Sequence, residues 1–284
     1  MNNIIKVNNL TFGYAGKPLR QKDGGEVLKD LSFEVRQGSF LSIAGPNGAG
    51  KTTLLNLLCG LLKPQDGSIE IDSAMIQQYS AKNLARKIAV VRQEFIPVFE
   101  FTAAQIVSMA RLPYSDTFGF ESKRDKQIIK EALEITDTLR FADRTMGNLS
   151  SGERQRVFIA RGLAQDTAIM LLDEPTNFLD IKHQVNIFDL LKTAQSEKGK
   201  TIIAVTHDIN LAAQYSDFAL LIGLKGEYKF GFSKEIFTGS QIESLFEVKV
   251  FSGRVNDANF FLPIGNFAKD SEKSPEKHKP ESAV

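Results

Sequence analysis

The chain has 284 residues, a hydrophobic fraction of 42%, a charged fraction of 24% and a formal net charge of +1. These values are ordinary for a globular protein with a large α/β core, and they give no electrostatic argument for a nucleic-acid or acidic partner. The single cysteine, Cys59, excludes a disulfide framework and a cysteine-based metal site, and its apolar neighbours predict a small buried hydrophobic residue.

The first part of the chain predicts short β-strands around one helix. Strands are expected in "IIKVNNLTFGY", "LSFEV" and "SFLSIAG", and the polar stretch "AGKPLRQKDGG" predicts a loop between the first two. An apolar periodic run from Lys51 to Leu62 predicts a helix that stops near "KPQDG". "GSIEI" and "KIAVV" predict two more strands, and from Phe101 to Phe141 the apolar spacing becomes helical.

The second half of the chain predicts alternating strands and helices. "AIMLLD" and "TIIAVT" are short, continuously apolar strands of the kind buried in a parallel sheet, and a helix candidate follows each. The stretch from "ALLIGLKGEYKFG" to "VKVFSGRVNDANFFLP" predicts a small hairpin, a helix and short strands. Residues 267–284 are charged, contain Pro and Ser, and predict a disordered tail.

One short stretch, "GPNGAGKTT", has the G-x-x-x-x-G-K-T pattern of a phosphate-binding loop and lies between a predicted strand and a predicted helix. Its small residues let backbone amides converge on phosphate oxygens, Lys51 supplies a positive charge, and the Thr52 hydroxyl can ligate Mg²⁺. The predicted binding residues are Gly45, Pro46, Asn47, Gly48, Ala49, Gly50, Lys51, Thr52 and Thr53.

A second stretch, "IMLLDEPTNFLD", places two acids after a buried strand. Asp173 is expected at the carboxyl edge of the sheet beside the phosphate loop, where it can hold Mg²⁺ through the ion's water shell. Glu174 follows it and is placed to polarise an attacking water as a general base. The sequence therefore predicts phosphate binding and hydrolysis at one sheet edge.

A third stretch, "LSSGERQRV", begins a predicted helix. Ser150 and Ser151 are both candidates for the N-cap, because a serine oxygen accepts from the N–H groups of the first turn. A Ser-Ser-Gly helix start also admits an anion. The residues alone leave both interpretations open, since the chain already has a phosphate loop.

The three motifs, with "LSSGE" lying between the other two along the chain, resemble those of the ATP-binding cassette family of transport ATPases, in the family's order and over nearly all of residues 1–263. The resemblance implies an α/β phosphate-loop NTPase core with a mixed, mainly parallel sheet and an N-terminal antiparallel β subdomain. It also implies a helical subdomain inserted at about residues 95–160 within an ATPase domain of residues 1–266. The implied cofactors are ATP and Mg²⁺, with Thr52, Gln93 and Asp173 at the metal.

The resemblance also implies a site shared between two copies. In the family, the serine-glycine motif begins a helix that reaches the ATP of a second subunit in a head-to-tail pair with two-fold symmetry. The residues expected to contact the partner's ATP are Ser150, Ser151, Gly152 and Glu153.

Four further positions match functional residues of the family. Tyr14 matches the aromatic that stacks on adenine, and Gln93 the glutamine that links the metal site to the helical subdomain and the transmembrane partner. Asp180 matches the aspartate that faces the other subunit, and His207 the histidine at the γ-phosphate. The implied catalytic residues are Glu174, His207 and Gln93.

Simpler interpretations stand beside these. Tyr14 is alternatively a core aromatic, Gln93 a surface amide, Ser150 only an N-cap and His207 a structural histidine. His183 has no assigned chemistry and is interpreted as a residue of a helix surface.

The third motif departs from the family at two positions. The family usually has two glycines where Ser151 and Gly152 stand, and often glutamine at Glu153. A serine is tolerated if its φ stays negative. Glu153 favours the helix dipole but brings a negative charge near a triphosphate. We expect a working site and leave open a slower dimer step.

Several kinds of cassette protein compete. The stretches "LDIKHQVNIFDLL" and "ESLFEVKVFSG…NFFLP" resemble ATPases of iron–siderophore, haem and cobalamin importers, which we rank in that order. "FTAAQIVSMARLPY" resembles the part of these ATPases that receives the permease. The alternatives are an exporter's ATPase and a soluble cassette protein that acts on ribosomes or DNA. The single cassette and the absence of sustained heptads or a basic surplus argue against the last.

The expected location follows from what the sequence lacks. It has no basic, apolar signal-peptide start and no run of about 18 apolar residues that predicts a membrane span. We expect a cytoplasmic chain held at the cytoplasmic face of the inner membrane by a permease dimer. An external binding protein is an indirect partner, and no nucleic-acid partner is expected.

Overall fold

The computed structural model describes residues 2–14, 26–92, 100–115, 122–255 and 258–265. Its strands are β1 (Asn3–Gly13), β2 (Glu26–Arg36), β3 (Phe40–Ala44), β4 (Asp66–Ile71), β5 (Ala74–Met75), β6 (Ile88–Val91), β7 (Ile169–Asp173), β8 (Thr201–Val205), β9 (Phe218–Ile222), β10 (Tyr228–Phe232), β11 (Val250–Val255) and β12 (Ala258–Pro263).

The α-helices lie between these strands, three of them in succession between β6 and β7. They are α1 (Lys51–Leu58), α2 (Ala81–Ala85), α3 (Ala103–Ser108), α4 (Lys123–Ile135), α5 (Ser151–Ala164), α6 (Ile181–Lys198), α7 (Ile209–Tyr215), α8 (Ser233–Ile236) and α9 (Gly239–Phe246). Single-turn 3-10 helices and one longer 3-10 segment span Ile76–Gln78, Met109–Tyr114, Leu139–Phe141 and Met146–Asn148.

Two sheets and a hairpin make up the β structure. An antiparallel sheet has the order β2-β1-β4-β5. The central sheet has the order β10-β9-β3-β8-β7-β6, in which all neighbours are parallel except β9 and β10. Strands β3 and β8 are buried along their whole length, because helices and the second sheet cover both faces. The mixed, mainly parallel sheet with an antiparallel β subdomain is thereby confirmed.

Two large cores lie on opposite faces of the central sheet. One lies between the two sheets and contains the apolar side of α1, including Leu54 and Leu57. The other lies beneath α3, α4, α5 and α6, with Phe40 stacked near Phe188 at a ring separation of 6.1 Å. Helices α3, α4 and α5 pack against one another in the chain segment between β6 and β7. Helix α5 therefore belongs to a group of three helices that packs over the second core, on one face of the central sheet.

The C-terminal part forms a third, smaller core that contains Phe237, Ile242 and Phe261. Two amides fix the β11–β12 hairpin there. The Asn210 side chain accepts from the Phe261 backbone N–H at 2.7 Å and donates to the Phe261 carbonyl at 3.2 Å. The Asn259 amide donates to the Phe237 carbonyl at 3.2 Å. The hairpin is therefore attached to α7, three residues after His207.

Some expectations differ from the structure or lie outside it. Helix α1 ends at Leu58 rather than Leu62, since the chain turns at Gly60, and Cys59 is consequently half-buried rather than buried. The polar stretch at residues 15–25, Gln93 and the tail 267–284 lie outside the described residues. Among the described helices, none combines the length and the apolar character needed to cross a membrane.

Candidate nucleotide-binding and hydrolysis site

The phosphate loop connects the end of β3 to the start of α1. Gly50 is the N-cap of α1 and has a φ of +93°, a left-handed conformation that favours glycine. A Cβ at this position would lie 2.8 Å from a methyl carbon of Val27. No side chain caps α1, and its first turn carries no acidic residue. The helix start therefore keeps its positive end for an anion.

Lys51 is the buried cation of this loop. Its Nζ donates to the carbonyl oxygens of Gly45 and Pro46 at 2.8 and 2.9 Å, and the residue is only 5% exposed. Burial lowers the pKa of the Lys51 ammonium, whereas the charges of Glu174 and Asp173 raise it. The loop thus holds an ammonium group next to the acids that follow β7.

Asp173 ends β7 beside the loop, as predicted. The Thr52 hydroxyl donates to Asp173 Oδ1 at 3.2 Å. Burial raises the pKa of the Asp173 carboxyl, and the hydrogen bond from Thr52 opposes that rise. A hydroxyl and a carboxylate are the hard oxygen ligands that Mg²⁺ prefers, with water completing its shell. The donor set fits Mg²⁺; Gln93, the third expected ligand, lies outside the described residues.

Glu174 follows Asp173 in a left-handed conformation, with a φ of +51°. This turn points its carboxylate away from the path of β7 and toward His207, whose Nε2 lies 2.5 Å from Glu174 Oε1. The Asn177 side-chain amide donates to the other oxygen, Oε2. The Glu174 side chain is 17% exposed. The carboxylate is thus held at both oxygens and keeps a small exposed surface that a water molecule can reach.

The sequence analysis missed two amides: Asn177, which contacts this carboxylate, and Asn210, which supports the segment of His207. Asn177 comes three residues after Glu174 in "DEPTN", but its contact depends on the left-handed turn at Glu174. Asn210 lies three residues after His207 and attaches the histidine's segment to the C-terminal hairpin through Phe261. In the sequence, each of these asparagines is marked only by its position three residues after a predicted catalytic residue, Glu174 or His207.

Tyr14 lies beside α1. Its hydroxyl is 3.2 Å from Thr53 Oγ1, and its ring stands edge-on to Phe12 with 5.0 Å between the centroids. Tyr14 is 40% exposed, so it is not the core aromatic of the simpler interpretation. Its position next to the phosphate loop is where a base-stacking ring is expected.

Ser150, not Ser151, is the N-cap of α5. The Ser150 hydroxyl accepts from the Glu153 N–H at 3.3 Å, and the Glu153 carboxylate accepts from the Ser150 N–H at 2.8 Å, which forms a capping box. This last bond, above all, lowers the pKa of the Glu153 carboxyl. Ser151 is the first helical residue, so the serine in place of glycine has an unstrained backbone.

Asp180 is the N-cap of α6 and accepts from the His183 N–H at 2.9 Å. Its neighbours Phe178 and Ile181 are 80% and 79% exposed, which is unusual for large apolar residues. The structure thus brings the phosphate loop, Asp173, Glu174 and His207 into contact, while Ser150–Glu153 contacts the start of α6.

The fold and this loop define a phosphate-loop NTPase. A family model described as "ABC transporter" matches residues 28–177. The ferric enterobactin transport ATP-binding protein FepC of Escherichia coli is 36% identical over 95% of this chain and 97% of its own. The petrobactin import ATP-binding protein FpuC of Bacillus anthracis is 36% identical over 88% of this chain and 92% of its own.

Solved structures agree with these relatives. An inward-facing structure assigned to the metal-chelate type of ABC transporter has a TM-score of 0.80 and 30% identity, covering 93% of this chain and 99% of the other. A dimeric ATP-binding cassette in a post-hydrolysis state with ADP and Pi has a TM-score of 0.68 and 32% identity, covering 81% and 98%. The chain belongs to the ABC transporter family of ATP-binding proteins and is an ATPase.

Proposed function

We propose that this ATPase energises the uptake of an iron–siderophore as the peripheral ATP-hydrolysing subunit of an importer. The observation that carries the proposal is the likeness to FepC, which extends over 95% of this chain and therefore includes the C-terminal part beyond residue 177. Haem, on the resemblance of the sequence, and cobalamin are the next candidates for cargo; a cobalamin import protein of Halobacterium salinarum is 34% identical over 81% of this chain.

The proposed hydrolysis converts ATP and water to ADP and phosphate at the site of Lys51 and Glu174. Lys51 exchanges its bonds to the loop carbonyls of Gly45 and Pro46 for bonds to phosphate oxygens. Thr52 and Asp173 hold Mg²⁺, which neutralises charge on the phosphates when bound.

Glu174 and His207 act on the attacking water and the γ-phosphate in this proposal. Glu174 takes a proton from water as the oxygen attacks phosphorus and the bond to the ADP oxygen breaks. His207 Nε2, 2.5 Å from Glu174 Oε1, exchanges this contact for a bond from its N–H to a γ-phosphate oxygen, which leaves Oε1 free to accept from the water. Tyr14 stacks on adenine.

Two copies form the working unit in this proposal. The start of α5 on one copy, with Ser150 and Gly152, caps the ATP held by the phosphate loop of the other, and Asp180 faces the same partner. The exposed Phe178 and Ile181 beside Asp180 supply apolar surface for such a contact. Closure and reopening of the pair move the permease as rigid bodies.

An apolar groove of roughly 530 Å³ is the proposed seat for the permease. Leu61, Leu62, Tyr79 and Leu84 contribute to its wall. Helix α2 on this wall is bonded to the 3-10 segment 109–114 through Arg86, which donates to the Pro113 carbonyl at 2.9 Å. The groove therefore adjoins the segment "FTAAQIVSMARLPY" that resembles a permease-contacting part of the importers.

The test compares cellular uptake of labelled ferric siderophore, haem and cobalamin by wild type, Glu174→Gln and the surface control Glu131→Gln. We expect Glu174→Gln to bind ATP, to lose turnover by about 100-fold or more, and to abolish uptake of the siderophore alone. Glu131→Gln, on the exposed side of α4, should leave both unchanged.

Other outcomes separate the alternatives. If Glu174→Gln abolishes only the uptake of haem or of cobalamin, the proposed cargo changes to that compound and the importer function stands. Unchanged uptake of all three, with ATP hydrolysis intact in wild-type protein, would discard the importer in favour of the exporter or the non-transport ATPase. Near-normal turnover of Glu174→Gln would refute the general base.

A further inference from the structure

The first turn of α5 touches the first turn of α6 at a glycine. Gly152, the second residue of α5, is buried, and a Cβ built on it would lie 2.8 Å from His183 Cδ2 and 3.3 Å from His183 Cγ and Nε2. The imidazole therefore occupies the space that any other residue at position 152 would need. Gly152 and His183 are in contact although 31 positions separate them in the chain.

The His183 ring is held in place by Asp180. Its Nδ1 lies 2.8 Å from Asp180 Oδ1, the same oxygen that accepts from the His183 N–H at 2.9 Å. A carboxylate oxygen only accepts, so Nδ1 carries the hydrogen of this contact. This fixes the ring's orientation and presents its other edge to Gly152.

The His183 side chain is not needed to cap α6. The backbone N–H already gives Asp180 its capping bond, and the side chain is 41% exposed. The first turn of α5 likewise has its own capping box, from Ser150 and Glu153. Both helix starts are thus capped separately, and the imidazole lies between them, against Gly152.

We propose that His183 is a positioning residue for the shared ATP site: clamped by Asp180, it sets where Gly152 and Ser150 stand relative to the loop from Glu174 to Asp180. The inference rests on the proposed function, in which Ser150 and Gly152 meet the ATP held by a second copy. In this proposal His183 does not contact the nucleotide. It fixes the position of the start of α5 relative to the loop from Glu174 to Asp180, so that both segments can contact the second copy at once.

The first test uses purified His183→Ala and the conservative His183→Asn, whose side-chain amide keeps a donor for Asp180. His183→Ala should raise the ATP concentration for half-maximal turnover by about tenfold and leave kcat within about threefold. His183→Asn should restore most of the loss. ATP binding by the monomer and the melting temperature should match wild type, since neither depends on α5 reaching a partner.

The second test asks which chain of a mixed dimer needs His183. Differently tagged chains, both with Glu174→Gln, are paired so that one also carries Lys51→Ala and only the other can load ATP. His183→Ala should speed loss of radiolabelled ATP when placed on the Lys51→Ala chain, which supplies α5 to the loaded site. On the loaded chain it should have little effect.

Ser150→Arg in the same two arrangements separates the two proposals. If the effect of Ser150→Arg on ATP loss depends on which chain carries it and the effect of His183→Ala does not, the role of His183 is refuted and the shared site stands. If the effect of neither substitution depends on which chain carries it, the shared site and the role of His183 are both refuted. A lower melting temperature or weaker ATP binding by His183→Ala monomer would reduce the histidine to a structural residue.

Discussion

The starts of α1 and α5 are both helix N-termini made of small residues, yet they are finished in opposite ways. At α1, Gly50 provides no capping side chain, the first turn has no acid, and Lys51 adds a buried cation. At α5, Ser150 and Glu153 cap each other, and the acid lies in the first turn.

The difference indicates how each end is used. The N-terminus of α1 carries no capping side chain and no acid of its own, which suits strong binding of a phosphate within one chain. The end of α5 is stable on its own, and its serine oxygen already accepts from Glu153, so the hydroxyl hydrogen is what Ser150 can offer a ligand. We therefore expect any ligand contact at α5 to be weaker than phosphate binding at α1 and to depend on a partner.

The largest effect is expected at α1. Lys51→Ala removes the buried cation and should reduce ATP turnover by about 100-fold or more, with a matching loss of ATP affinity in a filter-binding or calorimetric assay. Lys130→Ala on α4 is the control, because its ammonium makes only an exposed ion pair with Glu134. Retention of ATP affinity by Lys51→Ala would mean that the loop amides alone bind the nucleotide.

The next largest effect tests whether the start of α1 in one chain and the start of α5 in the other form one site. Ser150→Arg places a bulky charge at α5 and should abolish turnover while ATP still binds the same chain's loop. Random pairing of equal amounts of Ser150→Arg and Lys51→Ala chains leaves one intact site in each mixed dimer, so at most about a quarter of wild-type sites return.

The readout for the mixture is ATP turnover against the two variants alone. A mixture that neither hydrolyses nor retains ATP better than its components would show that the two ends do not share a site, and activity well above a quarter of wild type would contradict one intact site per mixed dimer.

The smallest effect concerns the acid of α5. Glu153→Gln keeps the capping geometry and removes the charge, so unfolding free energy at pH 7 should fall by no more than about 0.5 kcal/mol. Because the pKa of the folded Glu153 carboxyl is lowered, its contribution is present at neutral pH and is lost as the pH falls through that lowered pKa.

Melting temperatures of wild type and Glu153→Gln between pH 3 and 7, as estimates of that stability, should therefore converge at the acid end. Curves that stay parallel throughout would show that the charge does not contribute through this bond.

Much of the site was predictable because its signals are local. The phosphate loop needs a contiguous pattern, and the place of Asp173 follows from a buried strand that ends at the same sheet edge as β3, with β8 between them. The capping serine of α5 was predicted as one of two neighbours, and the structure selects Ser150 because the box with Glu153 requires three-residue spacing.

The remaining contacts depend on geometry that no pattern displays. Asn177 reaches Glu174 only because Glu174 takes a left-handed conformation, which its residue type does not favour. His183 was interpreted as a surface residue; it is half-exposed, but its contact with Gly152 depends on how α5 packs beside α6. The roles of these residues, and of Tyr14, Asp180 and His207, stay predictions.

The two amides that hold the C-terminal hairpin bind only backbone atoms. Asn210 is hydrogen-bonded to the N–H and the carbonyl of residue 261, and Asn259 donates to the carbonyl of residue 237. These three bonds do not depend on the side chains at residues 261 and 237. Exposed side chains of this hairpin, unlike the buried Phe261, can therefore change while the strand keeps its place against α7. His207 then stays beside Glu174 without a contribution from those exposed side chains.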